Sequence, residues 1–173
     1  MYTKYLKDNR LYDDGISFEI PKDVRINIEP SGGIVFLRDD EYWGLGVDAW
    51  RVQDGEKEFD EFVLDFCENN SGCSVQTGEQ TVNDVYMRYA YFTFPNTHTQ
   101  IVVYFLNVHL IGNITVYSRV WGETFTCDDP AGQPEGIHPV FSAFIDGVRK
   151  EPVDVFSGIP ACVVERREEK MGG

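Results

Sequence analysis

Residues 16–20 alternate apolar and polar side chains, Ile-Ser-Phe-Glu-Ile, the period of a strand with one face buried. Pro21 follows and has no N–H to carry a ladder further. Residues 33–40 and 42–52 read as the next two strands, divided by the acidic turn Asp39-Asp40-Glu41. In the second of these, Trp43, Leu45, Val47 and Ala49 share one face, and Gly44, Gly46, Asp48 and Trp50 share the other. Two glycines on one face imply that something packs closely there, or that the strand bends.

The period then changes. Phe59, Phe62, Val63, Phe66 and Cys67 recur at the spacing of an amphipathic helix stripe. Asp54 suits its N-cap, Glu56 and Glu58 suit its positive end, and Gly72 lies just past its stop. From Ser74 to Gly122 the pattern is β again, with strands over 74–82, 85–94, 100–110 and 113–121. Asn83-Asp84, Pro95-Asn96 and Gly112-Asn113 supply the turns. The third of these strands is apolar on both faces: Ile101, Val103 and Phe105 on one, Val102, Tyr104 and Leu106 on the other. Such a strand is buried on both sides, so each face of its sheet needs cover.

Residues 126–136 read as a loop from their Pro, Gly and Asp content. A second stripe, Ile137, Val140, Phe141, Phe144, Ile145 and Val148, predicts a final helix over about 137–150. Pro139 fits its first turn, and Arg149 and Lys150 would complement its carboxyl end. The order is β-β-β-α-β-β-β-β-α: an α+β, largely antiparallel sheet with helices packed on it. There is no internal repeat and no linker. Residues 1–152 read as one domain and 153–173 as a charged, glycine-ended, partly mobile appendage.

Charge changes the picture most. Fifteen basic residues face 29 acidic ones in a chain of 173, a formal net of -14. That field repels nucleic acid and anionic membrane, and speeds encounter with a basic partner. It also serves plain solubility. No apolar run nears the roughly 20 residues of a bilayer span, and the amino terminus lacks a signal-type apolar core. The chain as written reads as cytoplasmic, or as exported or lipoprotein if a leader has been removed.

The acidic, glycine-containing entry at 14–21, Asp-Gly-Ile-Ser-Phe-Glu-Ile-Pro, is followed by a strand pair and a helix ending near Asn69-Asn70. A long meander and an exit helix over 141–149, Phe-Ser-Ala-Phe-Ile-Asp-Gly-Val-Arg, complete the order. This arrangement, over about residues 8–150, resembles the PsbP-like fold group. That group includes photosystem II extrinsic subunits, DcrB-like lipoproteins and chaperones of type VI secretion effectors. Many members carry Trp three residues after the proline, where this chain has Val24, so the resemblance is to the fold and implies no subfamily. It implies a PsbP-like α/β/α sandwich and a scaffold, assembly or binding role, with no shared catalytic residues.

The chemistry-bearing residues form no recognised motif. There is no nucleophile elbow, P-loop, zinc-protease helix or dinucleotide glycine pattern, and no cofactor is expected. Cys67, Cys73, Cys127 and Cys162 lack close zinc-type pairing. Cys67, on the helix stripe, reads as a buried thiol; an oxidising compartment would permit a bridge to Cys73. The N-x-[ST] triplets at Asn69 and Asn113 matter only in a eukaryotic secretory pathway. His98 reads as solvated, His109 as a core histidine, and His138 as neutral, because a helix start disfavours positive charge. The acidic clusters at 13–14, 39–41 and 128–129 read as solvated turns, without calcium-loop spacing.

Aromatic rows remain. Tyr117, Arg119 and Trp121 share one face of their strand, Met87, Tyr89 and Tyr91 form a comparable row, and Trp50 stands opposite Trp43 in facing. Where such rows escape cover, Tyr, Trp and Arg make protein-binding hot spots; where helices cover them, they are core. The reading is a non-enzymatic adaptor or chaperone-like module for a basic protein partner, compatible with a homodimer. Candidate partner-binding residues are Tyr117, Arg119, Trp121, Tyr89, Tyr91 and Trp50. The alternative is a small-molecule or hydrolytic enzyme built on Cys127 or His109 with an acidic partner.

Overall fold

The computed structural model describes residues 4–13, 15–48, 55–94, 99–109, 115–124 and 137–151. Eleven strands and two α-helices run through them: β1 Lys4–Lys7, β2 Arg10–Asp13, β3 Ile16–Glu19, β4 Arg25–Ile28, β5 Ile34–Arg38, β6 Trp43–Asp48, α1 Gly55–Asn69, β7 Ser74–Val82, β8 Val85–Phe94, β9 Thr99–His109, β10 Thr115–Thr124, α2 Pro139–Asp146 and β11 Arg149–Lys150. All pairing is antiparallel. A large sheet has the order β4-β5-β6-β10-β9-β8-β7, and a small one β1-β2-β3-β11. The fold is α+β.

Both faces of β9 are covered, as its composition demands. Val102, Tyr104 and Leu106 join Phe36, Trp43, Leu45, Val47, Met87 and Val120 beneath α2 and the small sheet, which contribute Phe141, Phe144, Ile145, Leu11, Ile16 and Phe18. On the opposite face, Val103 and Phe105 pack with Ala90, Phe92 and Phe59, flanked by Phe62, Val63 and Phe66 of α1. Each large side chain fully buried there contributes about 1.5–3 kcal/mol. The α1 stripe is the one its spacing predicts, and Gly72 beyond it adopts a left-handed φ of 89°. The proposed Asp54 cap lies outside the described residues, as do the turns at 95–96 and 112–113 and the segment 153–173.

Three differences from expectation have local causes. Strands β1 and β2 go unpredicted because Lys4, Lys7, Arg10 and Asp13 hide their pattern. Strand β4 is exposed along its length and shows no buried period. The final helix stops at Asp146, where Gly147 ends it. Arg149 and Lys150 therefore lie in β11, paired with Ser17 and Ile16, and do not complement a helix dipole. Val148 stays buried, but as a linker residue. His138 caps α2: its Nδ1 accepts the Val140 N–H at 3.2 Å, and burial lowers its pKa. A neutral imidazole at this helix start agrees with expectation.

The core closes tightly over β10. A Cβ on Gly122 would come within 2.7 Å of three Phe141 ring atoms, and Phe141 is itself buried. Gly122→Ala is expected to cost about 1–3 kcal/mol by overpacking, read as a lower urea midpoint at unchanged slope. An unchanged midpoint would mean that α2 does not press on β10.

Candidate functional site

Alternation along β10 sets the site. Arg119, Trp121 and Glu123 share a face, and the register places them opposite Asp48, Gly46 and Gly44 of β6. Across the other edge they face Phe105, Val103 and Ile101 of β9. The glycine expectation is met here, because the Trp121 indole lies so close over Gly46 that a Cβ there would collide with its ring. Arg119 is held by Asp48, with Nε donating to Oδ2 at 2.8 Å and Nη2 at 2.7 Å from the same oxygen. Both side chains are about a quarter exposed, at 28% and 27%.

An open cavity of about 260 Å³ sits on this face, lined by Asp48, Phe62, Ile101, Val103, Arg119, Trp121 and Glu123. Its walls are mostly apolar, with a neutralised ion pair at one side and a carboxyl at the other. Glu123 is half-buried, and desolvation raises its pKa. Neither Asp48 nor Glu123 was a candidate from sequence; Glu123 continues the alternation of Arg119 and Trp121 and could have been found by it, whereas Asp48 is brought to this face only by the β6–β10 register. Next to the cavity, α1 carries Glu58, Asp60, Glu61, Asp65 and Glu68 against Lys57. Arg88 pairs with Asp60 at 3.1 Å and lies over the Phe59 ring at 4.2 Å.

Tyr89 and Tyr91 do not join this site. Tyr89 and Tyr91 point to the opposite face of the sheet, the side of Met87 and Tyr104. Tyr89 packs its ring 5.8 Å from that of Tyr104 and closes over Gly78, where a Cβ would lie 2.5 Å from its hydroxyl. It fills the space a side chain would occupy on the edge strand. Burial raises the Tyr91 pKa. Tyr117 stands opposite Asn107 in β10, but its side chain is outside what is described, as is Trp50. Trp43 is buried, its indole N–H donating to Glu41 at 3.0 Å.

Among the acidic clusters, Asp39, Asp40 and Glu41 form an exposed 3-10 turn, braced by Arg25 and Arg38. Asp13 corrects the solvated-turn reading of 13–14. It is wholly buried because β2 continues through it, with Lys4 at 3.5 Å and the Ser118 hydroxyl donating at 2.9 Å. The Ser118 hydrogen bond ties the small sheet to β10, and removing one partner of the enclosed Asp13–Lys4 pair is what costs stability. The 128–129 pair lies outside the described residues, as do His98, Cys127 and Cys162; the His109 side chain is likewise not described. Cys67 and Cys73 are half-buried free thiols, and burial, with Cys73 as neighbour, raises the Cys67 pKa. Among the described residues, no group of three His, Cys, Asp or Glu side chains is placed to hold a metal ion, and no helix is long and apolar enough to cross a membrane. Comparison with protein-family models and with curated proteins finds no match for the chain.

Glu123 supplies the test of the cavity's electrostatics. A carboxyl whose folded pKa lies above its unfolded value favours folding while protonated and opposes it once pH rises through that window. Glu123→Gln is therefore expected to raise stability at neutral pH, with the gain lost as pH falls through the raised pKa and absent below the ordinary Glu range. Urea unfolding at both pH values checks it, and an equal effect at both would show that Glu123 is not desolvated.

Proposed function

We propose that the protein is a non-enzymatic binding module that holds a basic protein partner at the face formed by Trp121, Arg119 and Glu123. The observation that carries the reading is a shallow, mostly apolar socket floored by an indole, set beside an acidic helix on a chain of net charge -14. A half-buried Trp–Arg pair over apolar walls is the composition of an interface hot spot. The acidic surroundings favour a lysine or arginine side chain, whose aliphatic stem lies on Trp121 while its head reaches Glu123.

A PsbP-like sandwich is part of the same proposal. It is supported by α1 on one sheet face and α2 with the small sheet on the other. An adaptor, chaperone-like or immunity role accords with it. The alternative of a small-molecule or hydrolytic enzyme has less behind it. The cavity lies below the roughly 300–1,000 Å³ usual for ligand pockets, and its one cation is already paired with Asp48.

Capture from the native organism at low salt, with high-salt elution, tests the reading. One dominant basic protein is expected, bound more weakly as salt rises. Trp121→Ala, with its fold verified by circular dichroism, is expected to weaken that partner about thirtyfold, a hot-spot loss of about 2 kcal/mol. Repeated captures with folded bait that return no basic partner would overturn it.

A further inference from the structure

The large sheet ends at β7, which pairs with β8 in unbroken register from Ser74↔Thr93 to Val82↔Val85. Among the described residues no strand lies on its outer side. The other three edges are short and carry basic residues. Strand β4 has four residues including Arg25, β1 has four including Lys4 and Lys7, and β11 is Arg149 and Lys150 alone. Strand β7 is nine residues of Ser, Val, Gln, Thr, Gly and Glu, with no proline and no base. Native edges are normally protected by lysine, proline, bulges or brevity. This one has none of those protections.

The hairpin turn fixes which amides point outward. Asn83 and Asp84 have φ of 49° and 66°, the left-handed pair of a type I′ turn. The closing pair Val82↔Val85 is then hydrogen-bonded, and so are Gln80, Gly78 and Gln76 with their partners, by alternation. Val75, Thr77, Glu79 and Thr81 are left with their N–H and C=O groups directed away from β8. Their side chains share the α1 face, because Thr77 stands opposite Ala90.

We propose that β7 is a strand-addition site for an extended, basic segment of a protein partner; this rests on the basic-partner reading above and adds a second contact, three strands away from the Trp121 socket. Backbone bonding to alternate residues supplies affinity without demanding sequence. Charge supplies selection: Glu79 is the only ionisable residue of β7, the neighbouring helix carries Asp65 and Glu68, and the three basic edges repel a basic strand. A second copy is the poorer occupant, since two bodies of net charge -14 would have to meet edge to edge.

The probe is a short peptide of alternating lysine and valine, compared with the same peptide N-methylated at alternate residues, which keeps the charge and removes the strand donors. At low salt the unmodified peptide is expected to bind with protection of the Thr77 and Glu79 amides. N-methylation is expected to weaken it about tenfold. Thr77→Pro, which removes an outward N–H and spares the β8 ladder, is expected to do the same. Equal binding of both peptides would overturn strand addition and leave the basic-partner reading standing. Failure of both to bind would overturn the two together. Concentration-dependent dimerisation abolished by Thr77→Pro would assign the edge to a second copy and overturn the proposal.

Discussion

A strand that is apolar on both sides cannot lie at a surface, and β9 is such a strand. Its residues from Val102 to Leu106 are all buried. Every layer of the molecule answers to that requirement. The α1 phenylalanines meet Val103 and Phe105, while α2 and the small sheet enclose Val102, Tyr104 and Leu106. Glycines permit the close contacts that follow, Gly122 under Phe141 and Gly46 under Trp121. Burial on both faces costs no unpaired backbone, because β8 and β10 bond β9 on either edge.

Function, on this account, is confined to what the cover leaves open. Helix α1 presents its apolar stripe to β8 and β9, and the β6–β10 part of that face keeps a socket between Phe62 and Trp121. Arg119 enters it already neutralised by Asp48, which leaves acidic character to Glu123 and the helix. On the opposite face the aromatic residues serve packing: Tyr89 lies across Gly78 and beside Tyr104. The same residue types thus do different work on the two faces.

Period was the most legible property of the sequence. The α1 stripe, the four long strands β7 to β10 and the Asn83-Asp84 turn could be read because each repeats one face many times. Of the short strands, β3, β5 and β6 were legible too, whereas β1, β2, β4 and β11 were not. In β2 the buried residues include Asp13, whose partners Lys4 and Ser118 come from other strands, so its burial is set by tertiary packing. The end of α2 was misplaced because Val148 continues the apolar spacing after Gly147 has turned the chain. For the site, alternation grouped Arg119 with Trp121 correctly. It could not reveal that Tyr89 and Tyr91 lie on the other side of the sheet, since strand parity carries no information between strands until register is known.

Two strands of one sheet should therefore differ sharply in stability: β9, enclosed on both faces and both edges, and β7, paired on one edge only. Native-state amide hydrogen exchange measures this directly. The account predicts that β9 amides exchange only through global unfolding, while the outward amides of Thr77 and Glu79 exchange at least about a hundredfold faster. Comparable protection of the two strands in the isolated protein would contradict it, by showing either that β9 is not the centre of the core or that the β7 edge is already occupied.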